Sequence, residues 1–183
     1  MMRGEPWQRA EIPGPVKSIA VAKPEVMANC IRSSKRPFIS IGSELLSLED
    51  RAPGIIEVVT ELIKVSGAIT SCTKPELVTS LREKDIKVLV MPVAEVANKL
   101  IDLSWSGFEE FGRPDLFAMI GYEYYYSWLT FSNLKNFAPK GLRTLSLDPY
   151  YQPHANYSFV NLPLDRWRSC LEFIVDLIRG EKK

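Results

Sequence analysis

Short apolar runs alternate along this chain with amphipathic helical segments, and this alternation constrains the fold more than any other feature. Each run is a predicted strand, and the residues between runs place their apolar positions at helical spacing. Such alternation indicates βαβ units, in which helices cover both faces of a parallel sheet. We therefore expect a doubly wound, Rossmann-like α/β fold with a parallel sheet of about six strands. The predicted strands lie at 38–41, 68–71, 88–91, 115–121, 142–147 and 158–160.

Proline positions set the limits of several predicted helices. The first begins at Pro24, which suits a first helical turn, and ends before Arg36–Pro37, because the residue preceding proline is pushed out of the α region. Residues 43–52 are predicted to form a loop. Thr73 and Glu76 match a capping box, whose hydroxyl and carboxylate satisfy backbone donors where a helix begins. The other predicted helices cover about 53–65, 93–101, a segment through 128–134, and 164–178.

The beginning of the chain differs in composition from the rest. Residues 1–18 contain three prolines and two glycines with little periodicity, so we predict an extended N-terminal arm at 1–18 and a single α/β domain at 19–183. The arm contains Trp7, which is costly to leave in water. Trp7 therefore either packs back on the domain or docks on a partner. The arm has no apolar stretch typical of a signal peptide, so we expect a cytoplasmic protein.

The charge balance argues against two classes of partner. Twenty-three basic and 22 acidic residues give a formal net charge of +1. No global field therefore attracts nucleic acid or an anionic membrane surface. No uninterrupted apolar run approaches the roughly 20 residues of a membrane span. We predict neither a nucleic acid nor a membrane as a partner.

Cysteine and histidine are too few and too scattered to predict a metal site or a nucleophile. Cys30, Cys72 and Cys170 lie far apart without a CxxC pair, and His154 is the only histidine. General acid–base catalysis by His154 would need a positioned partner that the sequence does not identify. Cys30 and Cys170 lie on apolar helix faces, whereas Cys72 near a strand end is the more reactive candidate. We predict no metal and no catalytic residue.

Glycine and aspartate follow three predicted strands at the edge where doubly wound folds bind ligands. A ligand there lies beyond the carboxyl ends of the strands, where strand order reverses. Glycine lets the backbone approach a phosphate or a ring closely, and an aspartate can bind a ribose hydroxyl. Glycine and Asp-Pro also make tight strand exits without any ligand. The candidate cofactor-binding residues are Gly42, Ser43, Gly121, Tyr122, Asp148 and Pro149.

Two standard phosphate-binding motifs do not match this sequence. The dinucleotide fingerprint GxGxxG needs three glycines close together, but the glycine after Gly42 is Gly54. The chain also has no GxxxxGK[ST] loop. A standard NAD site and a P-loop are therefore disfavoured.

An aromatic cluster follows Gly121 at the exit from a predicted strand. Consecutive helical positions point in different directions, so one core-facing side cannot absorb all of these rings. Some rings must contact a loop, a ligand or another chain, and tyrosine and tryptophan suit interfaces because they combine apolar area with a polar group. Part of the cluster is alternatively expected to cover the sheet edge. With the arm, the candidate partner-interface residues are Trp7, Tyr124, Tyr125, Tyr126 and Trp128.

The order of several segments has a parallel among known enzymes. Lys35-Arg36-Pro37 precedes a strand that ends at Gly42, and Asp115 to Gly121 and Leu142 to Pro149 follow. This order resembles the central domain of thiamine-diphosphate enzymes, the DHS-like NAD/FAD-binding fold. The chain lacks the GDG-type motif that binds metal and diphosphate, so independent thiamine chemistry is not expected.

A second set of segments spans nearly the whole chain. They are Pro15 in the arm, Ile41 to Leu46, Asp102 with Trp105 and Gly107, Gly121 with Tyr124 to Tyr126, Leu134 to Ala138, and Tyr150 through Ser158–Phe159. Together they resemble the epsilon subunit of the archaeal carbon monoxide dehydrogenase/acetyl-CoA decarbonylase/synthase complex.

This resemblance implies a non-catalytic subunit that binds and stabilises the alpha subunit of CO dehydrogenase, the component that oxidises CO or reduces CO2. Nickel and iron–sulfur clusters would belong to that partner only, and this chain has no cysteine spacing for cluster ligands. The resemblance implies no tightly bound cofactor, with FAD as the candidate ligand and assistance to electron transfer to a flavin as the accompanying role. The alternative is an independent FAD- or nucleotide-binding electron-transfer protein. An autonomous hydrolase or transferase is a third hypothesis, which lacks a catalytic constellation.

Overall fold

The computed structural model describes residues 16–180, in which strands and helices alternate. The strands are β1 (Ile19–Val21), β2 (Pro37–Ile41), β3 (Ile69–Cys72), β4 (Val88–Leu89), β5 (Leu116–Ile120), β6 (Arg143–Ser146) and β7 (Tyr157–Phe159). The helices are α1 (Pro24–Arg32), α2 (Glu44–Arg51), α3 (Ile55–Ser66), α4 (Pro75–Glu83), α5 (Val93–Ile101), α6 (Tyr124–Phe137) and α7 (Leu164–Gly180).

The strands form one sheet in which every pair is parallel. Its order is β1-β7-β6-β5-β2-β3-β4. The predicted doubly wound, Rossmann-like α/β class is therefore confirmed, with seven strands in the sheet instead of about six. The additional strand is β1, a three-residue edge strand with two exposed residues, which has too little apolar patterning to be recognised.

The strand order reverses between β2 and β5. From β2 the chain continues to β3 on one side, whereas from β5 it continues to β6 on the other. Beyond the carboxyl ends of such a strand pair, doubly wound folds form their ligand crevice. This position lies next to Gly42 and Gly121, the residues that follow β2 and β5.

Helices cover both faces of the sheet. The larger apolar core joins residues of α1, α2, α3, α4 and α7 to one face, with Ile39 and Ala118 among the strand residues. The smaller core joins α5 and α6 to the other face, through Phe38, Phe117 and Met119. Burial of all five residues in both β2 and β5 explains why these strands read as continuous apolar runs.

Two local predictions are wrong. Residues 43–52, predicted as a loop, contain helix α2, which buries Leu45 and Leu48 and is too short for its two apolar positions to stand out. Thr73 does not cap α4: the N-cap position is Lys74, and no side-chain hydrogen bond caps this helix. Pro75 at the first helical position begins α4 without a capping box.

The predicted arm lies largely outside the described residues. Residues 16–18 have no regular secondary structure, and residues 1–15, including Trp7, are not described. Within residues 16–180, no helix is both long enough and apolar enough to cross a membrane.

Candidate functional site at the carboxyl edge of the sheet

The six candidate cofactor-binding residues meet at the carboxyl edge of β2, β5 and β6. Their exposure differs: Ser43 is exposed and Tyr122 is half-buried, whereas the others are buried. The sequence therefore identified residues that share one place in the fold. Binding of a cofactor by them stays a prediction.

Gly42 and Gly121 bring two backbone segments into direct contact. The Gly42 N–H donates to the carbonyl oxygen of Ile120 at 2.9 Å, which extends the pairing of β2 with β5. A Cβ atom on Gly42 would lie 2.1 Å from the Gly121 carbonyl oxygen, and one on Gly121 would lie 2.7 Å from the Leu45 Cβ atom. Gly121 also has a φ of 74°, in the left-handed region that favours glycine. The turn after β5 therefore requires glycine for contacts within the chain.

Asp148 follows β6 and turns its side chain inward. Its carboxylate accepts the Gly121 N–H at 2.6 Å and also a hydrogen bond from the Tyr122 N–H. Asp148 is only 4% exposed. Burial raises the pKa of its carboxyl to about 7, and nearby Glu44 acts in the same direction, while the two backbone hydrogen bonds favour ionisation. Asp148 therefore joins the ends of β5 and β6 through a buried, polar contact.

Tyr122 lies over the ends of β2 and β3. Its hydroxyl is 2.7 Å from the Ser40 hydroxyl, which is in turn 2.9 Å from the Ser71 hydroxyl. Burial raises the pKa of Tyr122 well above its ordinary value, so the phenol stays neutral. Sequence analysis missed Ser40 and Ser71, although Ser40, inside an otherwise apolar strand, was a usable signal. The three hydroxyls fix the Tyr122 ring above Gly42.

The predicted interface residues occupy different environments. Tyr125 is exposed, while Tyr124, Tyr126 and Trp128 are half-buried. The Tyr126 ring packs near Tyr122 with centroids 6.0 Å apart, and the Trp128 ring contacts His154 edge-on at 4.8 Å. Part of the aromatic cluster therefore packs within the chain. Tyr125 keeps an outward position, and Trp7 lies outside the described residues.

Helix α6 carries apolar side chains on its outer side. Its exposed residues are Tyr125, Leu129, Asn136 and Phe137, and the three apolar or aromatic ones are 61%, 53% and 67% exposed. Its buried residues are Ser127, Thr130, Phe131 and Leu134, two of which carry hydroxyls. A helix of a soluble domain normally places its polar side chains outward. Leu129 and Phe137 were missed as interface candidates, although Leu129 lies four residues after Tyr125 and therefore on the same side of a helix.

The histidine and the thiols are withdrawn from solvent to different degrees. His154 is buried against Trp128, and burial followed by the charge of Lys135 lowers its pKa, which favours the neutral imidazole. Cys72, the more reactive candidate of the sequence analysis, is buried, and burial raises the pKa of its thiol. Cys30 is also buried and Cys170 is half-buried. Across residues 16–180, no group of three or more His, Cys, Asp or Glu side chains is arranged to hold a metal ion.

Comparison with known proteins gives one family. A family model described as "CO dehydrogenase beta subunit/acetyl-CoA synthase epsilon subunit" matches residues 1–175. The acetyl-CoA decarbonylase/synthase complex subunit epsilon 1 of Archaeoglobus fulgidus is 30% identical over 164 residues, which cover 87% of this chain and 85% of that relative. The subunit epsilon of Methanothermobacter thermautotrophicus is 30% identical over 167 residues, covering 91% and 92%. Because the family model spans nearly the whole chain, this protein belongs to the CO dehydrogenase beta subunit/acetyl-CoA synthase epsilon subunit family.

Proposed function

We propose that this chain is a non-catalytic subunit that docks on the alpha subunit of CO dehydrogenase, within an acetyl-CoA decarbonylase/synthase complex, and stabilises it. The relatives named above are epsilon subunits of such complexes, which supports membership of a multi-subunit assembly. In this proposal, nickel and iron–sulfur clusters belong to the partner, and the assembly is cytoplasmic.

The outer side of α6 is the observation that carries the proposal. We define the α6 docking face as Tyr125, Leu129 and Phe137, which are all more than half exposed. Leaving these side chains in water forfeits the free energy of burial, about 1.5–3 kcal/mol for a fully buried Leu or Phe side chain. Aromatic residues are enriched in the buried centres of interfaces. A partner that covers the α6 docking face would recover this free energy.

Helix α7 provides a contrast on the other face of the sheet. Its exposed residues include Asp165, Arg166, Asp176 and Arg179, as expected of a helix that faces water. Phe173 is its one large exposed apolar residue within the described part of the helix, at 43%. The apolar outer side of α6 therefore contrasts with the largely polar outer side of α7.

Co-purification with the alpha subunit tests the proposal. Leu129→Glu places a charge in the α6 docking face and is expected to weaken binding about tenfold or more, because a buried unpaired charge at an interface centre is costly. Phe173→Glu is the matched control, with the same change at an exposed apolar site on the opposite layer, and should bind as the unchanged protein does. Equal binding by both variants and the unchanged protein would contradict docking through α6.

The stabilising role has its own readout. The alpha subunit should keep its CO-oxidising activity longer on heating when this chain is bound, because a ligand of the folded state shifts the unfolding equilibrium. The Leu129→Glu variant should protect less at equal concentration. Assistance to electron transfer to a flavin, or independent FAD binding, stays a prediction, which an absorbance spectrum of the purified assembly tests.

A further inference from the structure

A flavin or nicotinamide dinucleotide makes specific demands at the edge where β2 and β5 diverge. Its pyrophosphate needs backbone N–H groups that are free to donate, and glycines that let the phosphates approach the backbone. The edge must also leave space next to those glycines. In this chain, Gly42, Gly121 and Tyr122 occupy the positions where these requirements apply.

The N–H groups of the turn after β5 already have an acceptor. Gly121 donates to Asp148 Oδ1 at 2.6 Å, and Tyr122 donates to the same carboxylate. The Asp148 carboxylate accepts the backbone hydrogen bonds that a ligand phosphate would accept at this place. A phosphate could take these donors only by displacing a side chain that is almost fully buried.

The glycines of this edge are also engaged within the chain. The space beside Gly42 is filled by the Gly121 carbonyl and the Tyr122 ring, since a Cβ atom there would lie 2.1 Å and 2.7 Å from them. The space beside Gly121 is filled by Leu45 of α2. The Tyr122 ring is held in place through the Ser40 hydroxyl. No glycine here is left to admit a phosphate.

We propose that the Asp148 carboxylate is an internal substitute for a ligand phosphate, which closes this edge to FAD, NAD and other dinucleotides. The fold's usual ligand position then holds the sheet together instead of binding a cofactor. Gly42, Gly121 and Asp148 therefore do not form the dinucleotide-binding site that a Rossmann-like fold suggests. Charge supports the same conclusion, because the neighbouring Glu44, which also raises the pKa of Asp148, repels a phosphate.

Amide resonances of the unmodified full chain provide the first test. The chain is titrated with FAD and, separately, with ADP to about 1 mM, while the Gly121 and Tyr122 amide signals are followed by NMR. Neither signal is expected to move in a saturable way. A saturable shift of both signals at a 1:1 ratio would overturn the proposal.

A variant provides the second test. Asp148→Ala removes the internal acceptor and leaves two buried N–H groups unpaired, so formate, as a small carboxylate, should raise the melting temperature of this variant by several degrees. The unmodified chain and Asp165→Ala, which alters an exposed aspartate, should not respond. A folded Asp148→Ala variant whose melting temperature does not rise with formate would contradict the proposal that Asp148 takes the place of a phosphate. If that variant does not fold, the FAD titration of the unmodified chain decides the question, and saturable binding there remains the overturning result.

Discussion

Gly42 and Gly121 lie back to back, so that a Cβ atom on Gly42 would stand 2.1 Å from the Gly121 carbonyl oxygen. This contact joins the ends of β2 and β5, the two strands from which the chain turns in opposite directions. Backbone cannot move aside as the tip of a flexible side chain can. The pair therefore sets how closely the two halves of the sheet approach at this edge.

Gly42→Ala should destabilise the protein strongly. The added methyl group meets backbone and the Tyr122 ring, so we expect a loss of about 3 kcal/mol or more in the free energy of unfolding. Denaturant unfolding measures the loss. Gly180→Ala is the control, because a Cβ atom there meets nothing within 4 Å and alanine favours the helix. Equal stability of the two variants would show that the Gly42 contact is looser than described.

Trp167→Phe should also cost stability, by a different mechanism. The Trp167 side chain is fully buried, and its Nε1–H donates to the Leu147 carbonyl oxygen at 2.7 Å. Phenylalanine leaves a small cavity and an unpaired buried carbonyl, together about 2–3 kcal/mol. Thermal unfolding measures the effect. Phe173→Leu, at an exposed site on the same helix, is the control. A cost below that of the control would mean that the hydrogen bond contributes nothing.

Asp148 should make stability depend on pH between about 4 and 7. Its pKa rises from the ordinary 3.8 to about 7 on folding. The folded state therefore binds the proton more tightly, so the stabilisation is complete below pH 4 and is lost as the pH rises through 7. Each pKa unit corresponds to about 1.4 kcal/mol. Over this range the unmodified protein should lose a few kcal/mol relative to Asp148→Asn.

Denaturant unfolding of both proteins across pH 4–8 gives this comparison. Asparagine does not titrate, so the difference between the two unfolding free energies isolates residue 148 from other acidic groups. Partial burial by itself would raise the pKa of Asp115, but hydrogen bonds from Ser34, Lys35 and Arg36 together lower it. The contribution of Asp115 to stability therefore has the opposite sign and falls at lower pH. A constant difference from pH 4 to pH 8 would refute the titration of Asp148.

Arg113→Lys should loosen the segment after α5. The Arg113 guanidinium donates to the carbonyl oxygens of Leu100 at 2.9 Å, Asp102 at 2.7 Å and Trp105 at 2.6 Å. A lysine ammonium cannot reproduce this planar arrangement of donors. We expect faster amide hydrogen exchange in residues 102–114, with a loss of about 1 kcal/mol in global stability. Arg82→Lys, on the exposed side of α4, should leave exchange in residues 102–114 unchanged. Unchanged exchange in Arg113→Lys would mean that other contacts hold the segment.

Local patterns predicted most of the fold. Strands such as β2 and β5 are buried on both faces and therefore read as continuous apolar runs, and proline limits identify α1 and α4. The edge strand β1 was missed because it buries one residue of its three. Helix α2 was missed because two buried leucines in eight residues make a weak periodic signal.

The sequence by itself determined the parallel α/β class and the meeting of Gly42, Gly121 and Asp148 at one edge, because strand carboxyl ends coincide in any parallel sheet. Only the tertiary structure decided what these residues do there. The neighbouring positions of β5 and β6 point the Asp148 carboxylate at the Gly121 N–H, and strand order is not encoded in local periodicity. The same holds for α6. Its spacing places Tyr125 and Leu129 on one side, but packing against the sheet determined that this side faces outward, where residues 16–180 leave both side chains more than half exposed.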